Sequence, residues 1–281
     1  MTARFPGTLA LFVREDVRDT VRERQLQLLV GSFVLLASLL TYVAGRSASA
    51  RGGEAELIPT LLPLFAMLTP LLALGFFASS LVEKRTTGSL TVVLGLPISR
   101  ATVVLGTFLG RSIVICAAVV ASMLVAAPLA AFFGVTVDPV RLVVVTLVLA
   151  LLGVTFTALA VAISAVVRTT TRATIAAFGA FVLFFFGFWT QLPNAVLYVR
   201  HGFSLPETTP EWVELVAALN PVAAYTHLLT GFDSELSGGW FVTPPAEPAV
   251  YERPAFALAV LLGWIVVSIG IGYHRFRATD L

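Results

Sequence analysis

Six long apolar runs without a charged side chain constrain this sequence more than any other feature. A helix needs about 20 residues to cross the ~30 Å hydrocarbon core of a bilayer, and each run has 19 residues or more. The runs are Leu26–Gly45, Leu57–Val82, Ser112–Val137, Leu142–Val167, Ala173–Leu192 and Ala255–Tyr273. Charged residues make up only 12% of the 281 residues, about half of the ~25% usual in soluble proteins. The sequence therefore predicts an all-α polytopic membrane protein with six transmembrane helices.

The distribution of positive charges predicts the orientation of these helices. With the N-terminus inside, 13 of the 18 Lys and Arg residues lie on the inner side, as the positive-inside rule requires. Both termini are therefore expected in the cytoplasm. A further uncharged segment, Leu215–Phe232, is interrupted by Asn220, Pro221 and His227. Counting this segment as a span would put the basic C-terminal tail outside, so we interpret it as an amphipathic or re-entrant segment.

Residues 1–25 precede the first apolar run and are predicted to form an amphipathic helix. Its apolar side chains recur every four residues, and arginines follow one position later: Leu9, Val13, Val17 and Val21, then Arg14, Arg18 and Arg22. Such a helix either lies along the inner leaflet, with its arginines near anionic headgroups, or is a solvated charged helix that orients the first span. Both interpretations place it on the inner side.

The largest stretch outside the predicted spans, residues 193–254, is rich in proline and acidic residues. This composition is typical of loops, which we expect to surround the segment Glu211–Phe232. Two alternatives are open for this stretch. It contacts a ligand or a partner on the outer side, or it packs as a lid on the helix ends.

The inner loop between the second and third spans, residues 83–100, has the most informative sequence. Thr87 or Ser89 can cap the start of a helix, and Pro97 ends it at or before Leu96. One apolar face of this helix consists of Leu90, Val93 and Leu94. A two-turn helix is marginal in water, so it requires a surface to pack against. That surface is either the bilayer or a cytoplasmic partner.

The sequence shows no pattern for catalysis, metal binding or nucleotide binding. No predicted span contains Asp or Glu, whereas ion-coupled carriers usually need ionisable groups at mid-membrane. A P-loop requires Gly-Lys-Ser/Thr, but the only lysine, Lys84, lies between Glu83 and Arg85. If ATP drives this protein, another chain binds it. The His and Cys residues show no metal-ligand spacing, and the net charge of +2 does not suggest a nucleic-acid partner.

Gly106 and Gly110 form a small-residue motif of the type that lets helices approach closely. The motif serves either packing within the chain or contact with a second subunit.

The loop combines an acidic–basic pair, a Gly-Ser-Leu element and a Leu-x-x-Pro-Ile-Ser-Arg element, formed by Glu83, Lys84, Arg85, Gly88, Ser89, Leu90, Leu94, Pro97, Ile98, Ser99 and Arg100. This pattern resembles the inner loop of ABC-2 type transporter permeases, the membrane subunits of many prokaryotic ABC exporters. The basic amphipathic N-terminus is similar to the family's elbow helix. Asn220-Pro221 and the Asp280-Leu281 ending also match. Within the family the sequence looks most like the NosY-like branch, which is associated with copper-enzyme maturation.

The resemblance implies a single transmembrane domain over residues 1–281 in a prokaryotic plasma membrane. It implies a homodimer or heterodimer of permease subunits bound to two separate cytoplasmic ABC ATPase subunits, which bind ATP and Mg. Gly88–Leu96 would be the coupling helix. The residues that the resemblance assigns to ATPase coupling are Glu83, Arg85, Gly88, Leu90, Val93, Leu94, Pro97 and Arg100. No substrate-binding residue carries over.

The resemblance therefore implies a non-enzymatic permease subunit, which we expect to belong to an exporter. The alternative is a membrane scaffold that docks a partner protein without transporting anything. An intramembrane enzyme would require polar groups converging on a cavity, and the sequence shows none.

Overall fold

A computed structural model describes residues 5–22, 24–51, 53–86, 98–204, 206, 209–237 and 249–278. Within these ranges the regular elements are helices. They are α1 (Phe5–Arg22), α2 (Arg24–Arg51), α3 (Leu57–Phe77), α4 (Ser80–Thr86), α5 (Arg100–Phe132), α6 (Pro139–Val166), α7 (Thr170–Phe185), α8 (Phe188–Arg200), α9 (Glu211–Ala218), α10 (Pro221–Phe232) and α11 (Pro254–Arg277), with 3₁₀ turns at Ser234–Ser237 and Val250–Glu252. The prediction of an all-helical chain is confirmed for this part of the sequence.

Five helical stretches in the described residues are long and apolar enough to cross a membrane, and up to seven are counted if each of two bent helix pairs is one span. The five are Gln27–Ala50, Leu57–Thr86, Arg100–Phe132, Pro139–Val166 and Pro254–Arg277. They correspond to five of the six predicted runs. The number of six spans and the sidedness of the termini stay predictions.

The fifth predicted run, Ala173–Leu192, is not one continuous helix, and whether the bent helix pair that it forms is one span stays a prediction. The chain forms α7 up to Phe185 and then α8, which is bent by 71° relative to α7. Gly187 lies between them with φ of +75°, a left-handed conformation that glycine adopts at no steric cost and that ends a helix. An apolar run reports hydrophobicity along the chain, but it does not show that the backbone continues straight.

The segment Leu215–Phe232 is divided as its sequence predicts. α9 and α10 meet at an angle of 89°, with the break at Asn220 and Pro221. The Asn220 side chain accepts a hydrogen bond from the backbone N–H of Val222 at 2.8 Å, and Pro221 occupies the first position of α10. Both are favoured at a helix start.

The third predicted span, Ser112–Val137, is shifted toward the C-terminus relative to the helix that the structure forms there. α5 begins at Arg100, where Ser99 caps it by accepting from the N–H of Thr102, and it ends at Phe132. Arg111 therefore lies well inside a 33-residue helix, whereas the sequence interpretation placed it outside the span. A long helix retains an arginine in its interior when a buried partner compensates the charge.

α6 is the central helix of the fold. It packs against α3, α5, α10 and α11. Its buried residues are distributed around its whole circumference, as expected for a helix enclosed by neighbours. Thr155 and Thr157 donate hydrogen bonds to carbonyls of their own helix, at Leu151 and Gly153. α6 thus positions the other helices.

α1 packs against α5. The face in contact includes Phe12 and Asp16, which are partly and fully buried respectively, while Arg14 and Arg18 on the other side are exposed. The predicted helix is therefore present, and Leu9, Val13 and Val17 of the predicted apolar stripe are half-buried like Phe12, beside the buried Asp16. Asp16 is accommodated there because it finds charged partners.

Candidate functional site

The loop that the sequence singles out is described only at its two ends. Gly88, Leu90, Val93, Leu94 and Pro97 lie outside the described residues. Glu83 and Arg85 precede them on α4, and Arg100 follows them at the start of α5. We refer to residues 87–97 as the coupling loop and to the region around these two flanks as the loop end of the helix bundle.

Arg85 attaches the first flank to the C-terminal end of α6. Its guanidinium donates hydrogen bonds to the carbonyl oxygens of Ala165 at 3.0 Å and Val167 at 3.3 Å. Carbonyls at a helix C-terminus lack intrahelical partners and carry partial negative charge, so a cation is favoured there. The guanidinium also lies 4.8 Å from the centroid of the Phe276 ring, within the range of a cation–π contact. The start of the loop is thus tied to α6 and α11.

Arg100 attaches the second flank to the C-terminal end of α11. Its Nη1 donates to the carbonyl oxygens of Arg277 at 2.8 Å and Phe276 at 3.2 Å. Phe276 is buried. It contacts the arginines of both flanks, Arg85 through its ring and Arg100 through its carbonyl oxygen. The ends of the coupling loop converge on this residue.

Ser164 holds the beginning of α4. Its Oγ accepts hydrogen bonds from the backbone N–H groups of Leu81 at 2.8 Å and Val82 at 3.1 Å. The first N–H groups of a helix need an acceptor, and a neighbouring helix supplies it here. Glu83, on the exposed side of α4, accepts from Ser79 Oγ at 2.7 Å.

A buried charge cluster lies beside the first flank, and the sequence interpretation did not identify it. Lys84 Nζ lies 2.6 Å from Asp16 Oδ1, and Arg111 Nε lies 3.5 Å from Asp16 Oδ2. The side chain of Asp16 is 2% exposed and that of Arg111 is 8% exposed. We call these three residues the Asp16 cluster. It joins α1, α4 and α5 at a single carboxylate.

Gly106 and Gly110 make this close approach of α1 and α5 possible. A Cβ at Gly106 would collide with the ring of Phe12. A Cβ at Gly110 would meet the Asp16 side chain, including its Cβ at 3.2 Å. The glycine pair therefore faces an element of the same chain. One sequence signal was available, because Phe12 and Asp16 are four residues apart and so share a helix face.

The opposite end of α6 carries a different cluster, around Arg141. Its guanidinium lies 2.6 Å from Glu235 Oε2, 2.7 Å from Asp233 Oδ2, 3.7 Å from Asp138 Oδ2 and 3.9 Å from Glu56 Oε2. We call this set the Arg141 cluster. Four of its five members line a cavity of about 590 Å³. The cluster connects the starts of α3 and α6 with the segment after α10.

The stretch 193–254 packs on neighbouring helices where it is described. Trp189 Nε1 donates to the carbonyl of Val216 at 2.7 Å, and Trp264 Nε1 donates to that of Leu219 at 2.8 Å. Tyr251 donates a hydrogen bond to Glu214, and this bond raises the pKa of the Tyr251 hydroxyl to about 12. The described part of this stretch therefore packs against α8 and α11. Within the described residues no group of three or more His, Cys, Asp or Glu side chains is arranged to hold a metal ion.

Comparison with known proteins gives the family. A family described as ABC-2 family transporter protein matches residues 11–281. The chain belongs to the ABC-2 transporter family. It is 30% identical over 276 residues to the probable ABC transporter permease protein NosY of Stutzerimonas stutzeri, covering 94% of this chain and 96% of that protein. It is 29% identical over 281 residues to the protein of the same description from Pseudomonas aeruginosa, with the same coverage.

Membership of the ABC-2 family agrees with the resemblance carried by the loop sequence. The chain is a multi-pass protein of a prokaryotic plasma membrane and a membrane subunit of an ABC transporter. Such subunits associate with ATPase subunits. In this ABC-2 protein, the flanks of the coupling loop are therefore the described part of the candidate site.

Proposed function

We propose that this chain is the permease subunit of an ABC exporter that moves its substrate with ATP hydrolysed on separate subunits. Two such subunits form a homodimer or heterodimer, and two cytoplasmic ATPase subunits bind ATP and Mg. Residues 1–281 act as a single transmembrane domain whose termini and coupling loop face the cytoplasm. The sequence supports the division of labour, because its only lysine, Lys84, is not in a P-loop.

The observation that supports this proposal most is the attachment of both loop flanks to long helices. Arg85 binds the end of α6, and Arg100 binds the end of α11. A force applied to residues 87–97 would reach the central helix and its most extensive neighbour through charge-assisted hydrogen bonds, which are stronger than neutral ones.

The proposed mechanism combines these anchors with what the family resemblance implies. ATP binding closes the two ATPase subunits, and each closure displaces a docked coupling loop. Leu90, Val93 and Leu94 supply the apolar contact with the ATPase. Arg85 and Arg100 pass the displacement to α6 and α11, and the paired subunits change between two access states. Gly88 and Pro97 complete the set of coupling residues that the resemblance implies, and Glu83 lies on the exposed side of the first flank.

A charged side chain in the apolar face formed by Leu90, Val93 and Leu94, which we call the docking face, tests this proposal. The chain is co-expressed with candidate ABC ATPases from the same genome, and with the one that co-purifies, Leu94→Glu is compared with Leu94→Met, which conserves volume and apolar character. Burying an unpaired carboxylate in an apolar contact is costly. We expect at least about tenfold weaker co-purification of the ATPase and an equal loss of chain-stimulated ATP hydrolysis, since tenfold corresponds to about 1.4 kcal/mol.

Size-exclusion profiles in detergent check that both Leu94 variants insert and fold. Unchanged ATPase binding and hydrolysis in Leu94→Glu would overturn the assignment of the docking face. A scaffold would bind its partner without stimulating ATP hydrolysis, so wild-type binding with no stimulation would support the scaffold instead.

A further inference from the structure

We infer that Asp16 is a positioning residue that exchanges partners, from Lys84 to Arg111, when the coupling loop is displaced. This inference rests on the proposed function, because an ATPase subunit must move the loop. It adds a switch element in α1 that is joined to the loop by charge.

The geometry gives Asp16 two unequal cationic partners. Lys84 Nζ is at hydrogen-bonding distance from Oδ1, 2.6 Å. Arg111 Nε is 3.5 Å from Oδ2, beyond the 2.7–3.2 Å of a good N–H···O hydrogen bond. Closing that gap requires a movement of only about 0.6 Å. The second pairing is therefore within reach.

Arg111 has N–H groups that can donate further hydrogen bonds. Its Nε and Nη1 are buried and have no hydrogen-bond partner among the described residues. Buried polar groups in proteins are almost always hydrogen-bonded. The guanidinium lies 5.7 Å from the centroid of the Phe77 ring. This cation–π contact stabilises the positive charge, but it gives neither Nε nor Nη1 a hydrogen-bond acceptor. A carboxylate that moved fully onto Arg111 would satisfy donors that this conformation leaves unmet.

The two cations belong to helices on opposite sides of the coupling loop. Lys84 lies on α4, three residues before the loop, and Arg111 lies on α5, which follows it. α4 has seven residues and is held by Ser164 and Arg85 on α6. A displacement of the loop that moves α4 relative to α5 would therefore separate Lys84 from Asp16.

Asp16 itself stays with α5 during such a displacement. Phe12 lies over Gly106 and Asp16 over Gly110, so α1 is docked on the same helix that carries Arg111. When Lys84 leaves, the buried carboxylate loses its nearest cation, which is costly. A closer approach to Arg111, which is already 3.5 Å away, offsets that loss. The two arrangements differ in which cation is nearer to Asp16, and switching elements require two such states.

Spin-label distances test the exchange directly. The single cysteine, Cys116, is replaced by Ala, and labels are attached through Arg14→Cys on α1 and Thr86→Cys at the end of α4, both exposed positions. The assembled complex with its ATPase is studied in phospholipid vesicles without nucleotide and trapped with ATP and vanadate. Labelled chains are diluted with unlabelled ones, so that the distance within one subunit dominates.

We expect two distance populations about 5 Å apart, on the scale of one helical turn, with ATP increasing the longer one. Arg111→Gln removes the second partner and should keep the short distance in both nucleotide states. Lys84→Gln removes the first and should keep the long distance in both. Arg18→Gln, an exposed arginine on α1, is the matched control and should behave as the parent.

The exchange is overturned if the spin-label distances in the parent do not change with nucleotide. It is also overturned if Arg111→Gln shows the same change with ATP as the parent. The same preparation separates this outcome from failure of the proposed function. If the ATPase binds and its hydrolysis depends on the chain while the distances stay fixed, the exchange alone is wrong. If the ATPase does not bind the chain, the proposed function is wrong as well.

Discussion

The two ends of the helix bundle each gather ionised side chains, but in opposite proportions and surroundings. The Asp16 cluster has one carboxylate and two cations, and its aspartate is 2% exposed. The Arg141 cluster has one cation and four carboxylates, of which Glu235 is 72% exposed. The first cluster lies between packed helices, and the second borders an open cavity.

This difference decides how much each cluster contributes to stability. Water and salt screen charges at an exposed site, so each ion pair there contributes little. At a buried site, the removal of one partner leaves a charge without compensation, and the cost is large. The Asp16 cluster is therefore expected to hold α1 in place, whereas the Arg141 cluster adjusts contacts between helix ends.

The largest effect should come from Asp16→Ala. It leaves the cations of Lys84 and Arg111 near each other without their carboxylate, and we expect about 3 kcal/mol or more of destabilisation. The measurement is thermal unfolding in detergent, followed by tryptophan fluorescence. Glu15→Ala, the exposed acidic neighbour on the same helix, should unfold close to the wild-type temperature.

A second variant asks whether charge or packing causes that loss. In Asp16→Leu combined with Lys84→Met and Arg111→Met, apolar side chains replace the whole cluster. Such replacements are often neutral or stabilising, so most of the lost stability should return. If the triple variant is as unstable as Asp16→Ala, the charges are not the cause.

A smaller effect is expected from Gly110→Ala. The added methyl group meets the Asp16 side chain, and overpacking typically costs about 1–3 kcal/mol. Gly75→Ala is the control, because nothing lies within 4 Å of a Cβ there and alanine favours a helix. Thermal unfolding of both variants measures the difference. Equal stability would mean that α1 does not approach α5 as closely as described.

The smallest effect should come from Arg141→Gln at the exposed cluster. Loss of the guanidinium leaves four carboxylates to repel one another, which lowers the unfolding temperature slightly. Their repulsion is screened in salt, since the Debye length falls to about 3 Å at about 1 M. The difference from wild type should therefore shrink as salt is added, whereas that of Asp16→Ala should persist. A salt-independent Arg141→Gln effect would remove the distinction between the two clusters.

Several features of the candidate site could be predicted because they depend on local sequence. The family resemblance of the loop sequence indicates Arg85 and Arg100, whose role in coupling stays a prediction, and the break at Asn220-Pro221 follows from capping chemistry. The Asp16 cluster was missed because its members are far apart in sequence, at positions 16, 84 and 111. The bond from Ser164 to α4 spans more than 80 residues and was missed for the same reason.

The sequence by itself determined the class of protein, its long apolar helices and its family, because these depend on composition, on the length of uncharged runs and on a contiguous motif. Only the tertiary structure decided where α7 bends, that Arg111 lies inside a helix, and which carboxylate compensates it. Burial and charge pairing are set by which helices meet, and a sequence pattern records neighbours along the chain rather than across the bundle.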